Sequence, residues 1–177
     1  PDIAVFTGDF ISTSDSMPNL RQTLRPVAGH ASYAVLGNHD HWADGAAVAQ
    51  AVSDCGLTLL SNNSTTLDVK GGSVRITGYE YPWGEASSSF PAHSDDRLHI
   101  VLTHTPDNIY RIAEADEDLV FAGHFHGGQA RIPWLGPLIV PSLYGRRFDH
   151  GHFLVNRTHL FVAGGVGAAA PPIRIYC

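Results

Sequence analysis

The stretch Ser32-Tyr33-Ala34-Val35-Leu36-Gly37-Asn38-His39-Asp40 decides the reading of this chain. A short apolar run, patterned as a strand, passes straight into a glycine and three side chains able to bind a metal or move a proton. The same layout recurs elsewhere. Asp2 to Thr7 (DIAVFT) is followed by Gly8-Asp9, Leu98 to Thr103 (LHIVLT) by His104, and Leu119 to Ala122 (LVFA) by Gly123-His124-Phe125-His126. Brief apolar runs bounded by turn residues mark strands buried on both faces. In layered α/β folds, ligands collect beyond the carboxyl ends of such strands. Asp9, Asn38, His104 and His124 are therefore expected to converge, although they are far apart in sequence.

Between these strands the pattern turns helical. Leu20, Leu24 and Val27 share a face after a Ser16 cap, and Pro26 discourages continuation. Asp44 can cap a helix carrying Val48, Val52 and Cys55, with Gly56 as its stop. Thr105-Pro106-Asp107 is a helix start: a cap, a proline in the first turn and an acid at the positive dipole end. Leu67 to Ile76 alternates around Gly71-Gly72, which reads as a two-residue hairpin turn. Gly151 to Val162 reads as a second hairpin.

The chain has 177 residues, and no repeat or linker divides it. That length suits one domain with a sizeable core, taken here as 1–177. The formal net charge of −6, without a basic stripe, argues against a nucleic-acid partner. A phosphate substrate is still allowed, because bound cations can supply positive charge. No run of ~18 apolar residues exists to span a membrane. Without a targeting segment in the chain, the default expectation is cytoplasmic. Cys55 and Cys177 form no metal or disulfide framework. Eleven histidines against eleven lysines plus arginines favour imidazole ligation.

Phosphate-ester hydrolysis needs a nucleophile at neutral pH and a counter to developing negative charge. A metal serves both needs, lowering the pKa of a bound water and polarising the phosphoryl oxygen. Mixed nitrogen and oxygen ligands without thiolate suit Mn, Fe or Zn better than Ca.

The ordered set Gly8-Asp9, Gly37-Asn38-His39-Asp40, His104 within LTHTP, and Gly123-His124-Phe125-His126 resembles the calcineurin-like metallophosphoesterase superfamily. The segment from Gly127 to Phe153 is similar to its bacterial phosphodiesterase branch, which includes UDP-diacylglucosamine pyrophosphatases. The resemblance implies an α/β fold, a four-layer αββα sandwich, with the metals at the strand ends. It implies that Asp9 bridges two metals, that Asn38, His104 and His124 complete one of them, and that His126 belongs to the other. It further implies a metal-bound hydroxide as nucleophile and His39 as acid or transition-state stabiliser, with Asp40 orienting His39.

The family pattern also has an upstream Asp-x-His, which this chain does not contain. On that reading the chain is N-terminally truncated relative to the family, missing its first strand and helix. One metal is then well occupied and the second weak or absent, with manganese the first choice and zinc or iron as alternatives. His41, His150 and His152 are candidates to rescue the second position, while His30, His93, His99 and His159 read as structural or surface residues. Arg146 and Arg147 can either touch a substrate phosphate or form ion pairs. Phe125, Trp134, Leu135 and Tyr144 can either accept a lipid or nucleotide or belong to the core. A strand edge left open beside DIAVFT predicts a homo-oligomer. The leading function is metal-dependent hydrolysis of phosphate esters, preferentially phosphodiesters. The alternative is a catalytically weak or inactive metal-binding scaffold, and a nuclease is disfavoured by the net acidity.

Overall fold

The computed structural model describes residues 2–85, 87, 89–90, 95–168 and 171–177, so His93 lies outside the described residues. Strands β1 (Ala4–Phe6), β2 (Ser32–Ala34) and β3 (Thr58–Leu59) form a parallel sheet in that order. Helix α1 (Met17–Leu24) connects β1 to β2, and α2 (Asn38–Asp54) connects β2 to β3. Both cover one face of this sheet, burying Leu20, Leu24, Val48 and Val52 against Ala34 and Leu36.

The second sheet has six strands. Its central members are β5 (Gly72–Tyr79), β6 (Leu98–Thr103), β7 (Leu119–Ala122) and β11 (Thr158–Val162), all parallel. Antiparallel hairpin partners close its two sides: β4 (Ser64–Val69) on β5 and β10 (Gly151–Val155) on β11. Helix α3 (Ile109–Glu114) packs on the outer face, where Ile109 and Ile112 meet Val101, Val120 and Leu160. On the inner face Ile76, Ile100 and Leu102 meet Tyr33 and Val35 of the first sheet. The layers are thus helix, sheet, sheet, helix, and the α/β sandwich expected from the sequence is present.

Strand β6 shows why its apolar run is continuous. Ile100 and Leu102 face the first sheet, while Val101 faces α3, so both sides of the strand need apolar side chains. A small hairpin of β8 (Arg131–Ile132) and β9 (Gly136–Pro137) stands apart from both sheets.

Two local expectations shift. The first hairpin pairs Val69 with Gly72, so the turn is Lys70-Gly71 rather than Gly71-Gly72. Gly71, at φ +96°, supplies the left-handed backbone that a two-residue turn requires. Helix α2 begins at Asn38, seven residues before the start expected from an Asp44 cap, and breaks at Asp44, whose backbone is extended. Asp44 Oδ1 accepts from the Ala47 amide at 3.0 Å, so it caps the second half of the helix.

Candidate metal centre

The carboxyl ends of β1, β2, β6 and β7 lie side by side where the two sheets face each other. Gly8-Asp9 follows β1, Asn38 opens α2 beyond β2, and His104 and His124 follow β6 and β7. Two glycines let these loops meet. A Cβ on Gly37 would collide with Asp9 Oδ1 and would lie 2.6 Å from the Asp9 amide nitrogen and from His104 Cε1. Gly8, at φ +90°, lies against the backbone of Leu36 and Gly37.

His104 is the hub. Its Nδ1 lies 2.6 Å from the Thr7 carbonyl, which can only accept, so Nδ1 carries the proton and donates. Nε2 of the neutral ring is then a bare lone pair. It lies 3.0 Å from Asn38 Oδ1, 3.0 Å from His124 Nδ1 and 3.3 Å from Asp9 Oδ2. Nε2, Asn38 Oδ1 and the Asp9 carboxylate oxygen are all acceptors, so a cation among them relieves their repulsion. Ligand atoms bonded at about 2.1 Å to one ion lie roughly 3.0–3.4 Å apart, which is the spacing of the other three donors from His104 Nε2. The Nδ1 bond to a carbonyl is also the outer-shell contact that fixes a ligating histidine. The donor set therefore fits a divalent transition metal. Asp9, His104 and His124 are the metal-capable group of side chains found among the described residues.

The charges agree. Burial opposes the Asp9 carboxylate, but its contacts with His104 and the His39 amide outweigh it and hold its pKa below the ordinary value. Burial, reinforced by His104, pushes His124 down to about 4, leaving a neutral imidazole at neutral pH. Burial also lowers His126. Asp9, His124 and His126 all have positive φ (58°, 70° and 49°). Such backbone costs of order 1–3 kcal/mol per residue and concentrates at functional sites.

His126 is not part of the tight group. It lines, with Asp9 and His124, a cavity of about 610 Å³ that also holds Asn38 and His39. The His39 amide donates to Asp9 Oδ1 at 3.0 Å, and the His39 ring meets the edge of Trp42 at 5.2 Å.

Asp40 is fully buried. Its carboxylate accepts from the amides of Asp9 (2.8 Å), Gly37 (2.9 Å) and Ile11 (3.1 Å). These bonds go to backbone amides and none goes to the His39 ring. In this structure Asp40 therefore orients the loop that carries Asp9. The bond to Gly37 is the N-terminal half of a capping box on α2.

Trp83 was missed by the sequence reading. Its indole lies edge-on to the His104 and His124 rings, at 5.4 and 5.2 Å, and walls one side of the donor group. It follows β5 just as the other site residues follow their strands, but the alternation that marks this strand in the sequence ends at Ile76, short of the strand's end at Tyr79. The proposed rescue histidines lie elsewhere. His41 Nε2 faces Glu80 Oε2 at 3.6 Å, His152 Nε2 is 2.9 Å from His159 Nδ1, and His150 packs beside Gly164. Arg146 donates to the carbonyls of Leu135 and Pro137, and Arg147 lies over the Tyr110 and Phe148 rings. Phe125 is buried, Tyr144 packs on Tyr110, and Trp134 and Leu135 are exposed.

A two-sheet sandwich with nitrogen and oxygen donors gathered at its strand ends is the arrangement of a metallophosphoesterase. Residues 1–128 match the model of the calcineurin-like phosphoesterase family, and the chain belongs to that family. It is similar to the uncharacterized metallophosphoesterase YkuE of Bacillus subtilis, at 32% identity over 98% of this chain and 64% of YkuE. Phosphodiesterase YaeI of Escherichia coli is 26% identical over 95% of this chain and 64% of its own length. The UDP-2,3-diacylglucosamine pyrophosphatase LpxG of Chlamydia trachomatis is 24% identical over 76% and 56%. The chain thus spans a little under two thirds of the length of these relatives.

Proposed function

We propose that this chain hydrolyses phosphate esters, phosphodiesters in preference, with a divalent transition metal held by Asp9, Asn38, His104 and His124. The observation that carries this reading is the convergence of four lone-pair donors on one point, beside a cavity that admits His39. The relatives named a phosphodiesterase and a pyrophosphatase support the reaction class. When bound, the metal supplies Lewis acidity and lowers the pKa of water at the site. Manganese is the first candidate, with zinc or iron next.

The protein's own groups divide the remaining work. Asp40 fixes the backbone of Asp9 and Gly37, which sets the donor geometry. Asp9 offers one oxygen to the donor group and anchors the His39 amide with the other. His39, facing the cavity, protonates the leaving oxygen or stabilises the phosphoryl oxygens. His126 stands at a second position on the same cavity wall. Among the proposed ligands only Asp9 and His126 serve that position, so the 177-residue chain is expected to hold one metal tightly.

The test begins with metal-stripped protein reloaded with Mn, Zn, Fe or Mg and assayed on a chromogenic phosphodiester and monoester. His39→Ala should lower kcat by roughly 10²–10⁴ while leaving metal content unchanged. Asp9→Ala should lose both metal and activity. Turnover that survives both substitutions would sink the assignment, and two tightly held ions per chain would overturn the single-site claim.

A further inference from the structure

From Leu119 to Phe148 the chain carries three arginines and no acidic residue, although the whole protein has a net charge of −6. This segment is also where large apolar side chains face water. Trp134 and Leu135 form the tip of the β8–β9 hairpin, with Trp134 fully exposed, and Ile132 is exposed at its base. The residue 173–175 segment lies along β8, because the Arg131 amide donates to Ile175 O and the Ile175 amide to Gln129 O. That pairing sets Ile173 and Ile175, both exposed, beside the hairpin.

Two arginines are set into this apolar rim. Arg146 Nη1 donates to Leu135 O at 3.0 Å, and Arg174 Nη1 to the carbonyls of Gly165 and Gly167 at 2.8 and 2.7 Å. Carbonyl partners leave the positive charge uncancelled. Neither arginine has an ion pair among the described residues, whereas Arg131 is paired with Asp149. The rim is continuous with the cavity of the metal centre. Leu138, Ile139 and Ile173 line the same cavity as Asp9 and His39.

We propose that this rim is a docking surface for an anionic lipid layer, which seats the mouth of the metal-centre cavity at the water–lipid interface. Indole and leucine side chains suit the headgroup boundary, and the arginines suit anionic headgroups. Charge separates this occupant from a second copy of the chain. A two-fold contact through the same patch would bring two copies of Arg146 and Arg174 into one interface with no acidic partner from the patch, and like charges repel. The chain's general acidity would resist any anionic surface, so only a locally basic and apolar face can approach one. No helix among the described residues is long and apolar enough to cross a membrane, and docking needs none. The proposal stands independently of the hydrolytic reading, since it is tested by partitioning rather than turnover.

The 177-residue chain would be sedimented with vesicles of phosphatidylglycerol mixed with phosphatidylcholine, and with phosphatidylcholine alone. Binding to the anionic vesicles is expected, weaker by roughly tenfold or more on the neutral ones and reduced by high salt. Arg146→Gln should cost about fivefold on anionic vesicles only. The double variant Trp134→Ser/Leu135→Ser should lose roughly tenfold or more, while Trp134→Phe/Leu135→Ile keeps binding. Thermal melting of each variant separates lost docking from lost folding. Failure to sediment with anionic vesicles, equal binding to both lipids, or undiminished binding by the serine variant would each overturn the proposal. So would a wild-type dimer, blind to vesicles, that the serine variant converts to monomer, since a second copy would then own the rim.

Discussion

At the residue scale, the centre depends on two groups that touch no substrate. Gly37 leaves no room for a side chain, because a Cβ there meets Asp9 and His104. Gly37→Ala should fold with the loops displaced and bind metal at least tenfold more weakly, as read by titration of stripped protein. Asp40 gathers three backbone amides on one buried carboxylate. Burial raises its pKa against the pull of those amides. Hydrogen bonds to a charged acceptor are worth about 1.5–3 kcal/mol each, and amides left unsatisfied add to the loss. Asp40→Ala is therefore expected to destabilise the fold by about 3 kcal/mol or more in denaturant titration. Asp40→Asn, which keeps an oxygen acceptor, should cost less. Equal stability of all three proteins would remove the anchoring role.

At the element scale, the turn between α3 and β7 carries a buried acid far from the metal ligands. Glu117 is buried, with His99 Nδ1 at 3.5 Å from Oε2, and His99 also lies 2.9 Å from Asp95. Burial pushes Glu117 up to about 7, against the lowering influence of His99. An acid whose pKa is higher in the folded state holds its proton there while the unfolded chain has released it. Its contribution is complete below about 4.5 and lost as pH rises towards 7. Melting temperature should thus fall across that window through this group, by a loss of about 3 kcal/mol. Glu117→Gln should flatten the slope, and an unchanged slope would show that the group does not control it. The break in α2 is a second feature at this scale. It lets Asn38 sit at the mouth of β2 while the later half of the helix, recapped by Asp44, keeps Val48 and Val52 in the core.

At the scale of the whole molecule, the candidate metal centre joins the two sheets. Asp9 and Asn38 come from one sheet, His104 and His124 from the other, and Trp83 from the loop after β5. An ion held there cross-links the halves of the sandwich. At a metal concentration a hundredfold above Kd, the melting temperature should rise by roughly 5–10 °C. His104→Ala should abolish that rise, and a rise that persists would place the ion elsewhere. Strand β1 lies at an open edge of its sheet. We expect the 177-residue polypeptide to self-associate through that edge, and a clean monomer in light scattering at micromolar concentration would count strongly against it. The relatives extend beyond the matched length, so this expectation belongs to the 177-residue polypeptide alone.

The sequence by itself determined the layered α/β class and the strands ending at Asp9, Asn38, His104 and His124, which offer nitrogen and oxygen donors and no thiolate. These follow from local rules: apolar runs buried on both faces, glycines at strand ends, and the hydrogen-bonding and ligating chemistry of each side chain. Only the tertiary structure decided that Asn38, His124 and Asp9 come within 3.0–3.3 Å of His104 Nε2, that the Asp40 carboxylate accepts from the backbone of the Asp9 loop, and that Trp83 lies against the His104 and His124 rings. Those outcomes depend on how the sheets face each other and on contacts between residues dozens of positions apart. Periodicity along the chain reports which face of an element is buried, and not which partner lies across the gap.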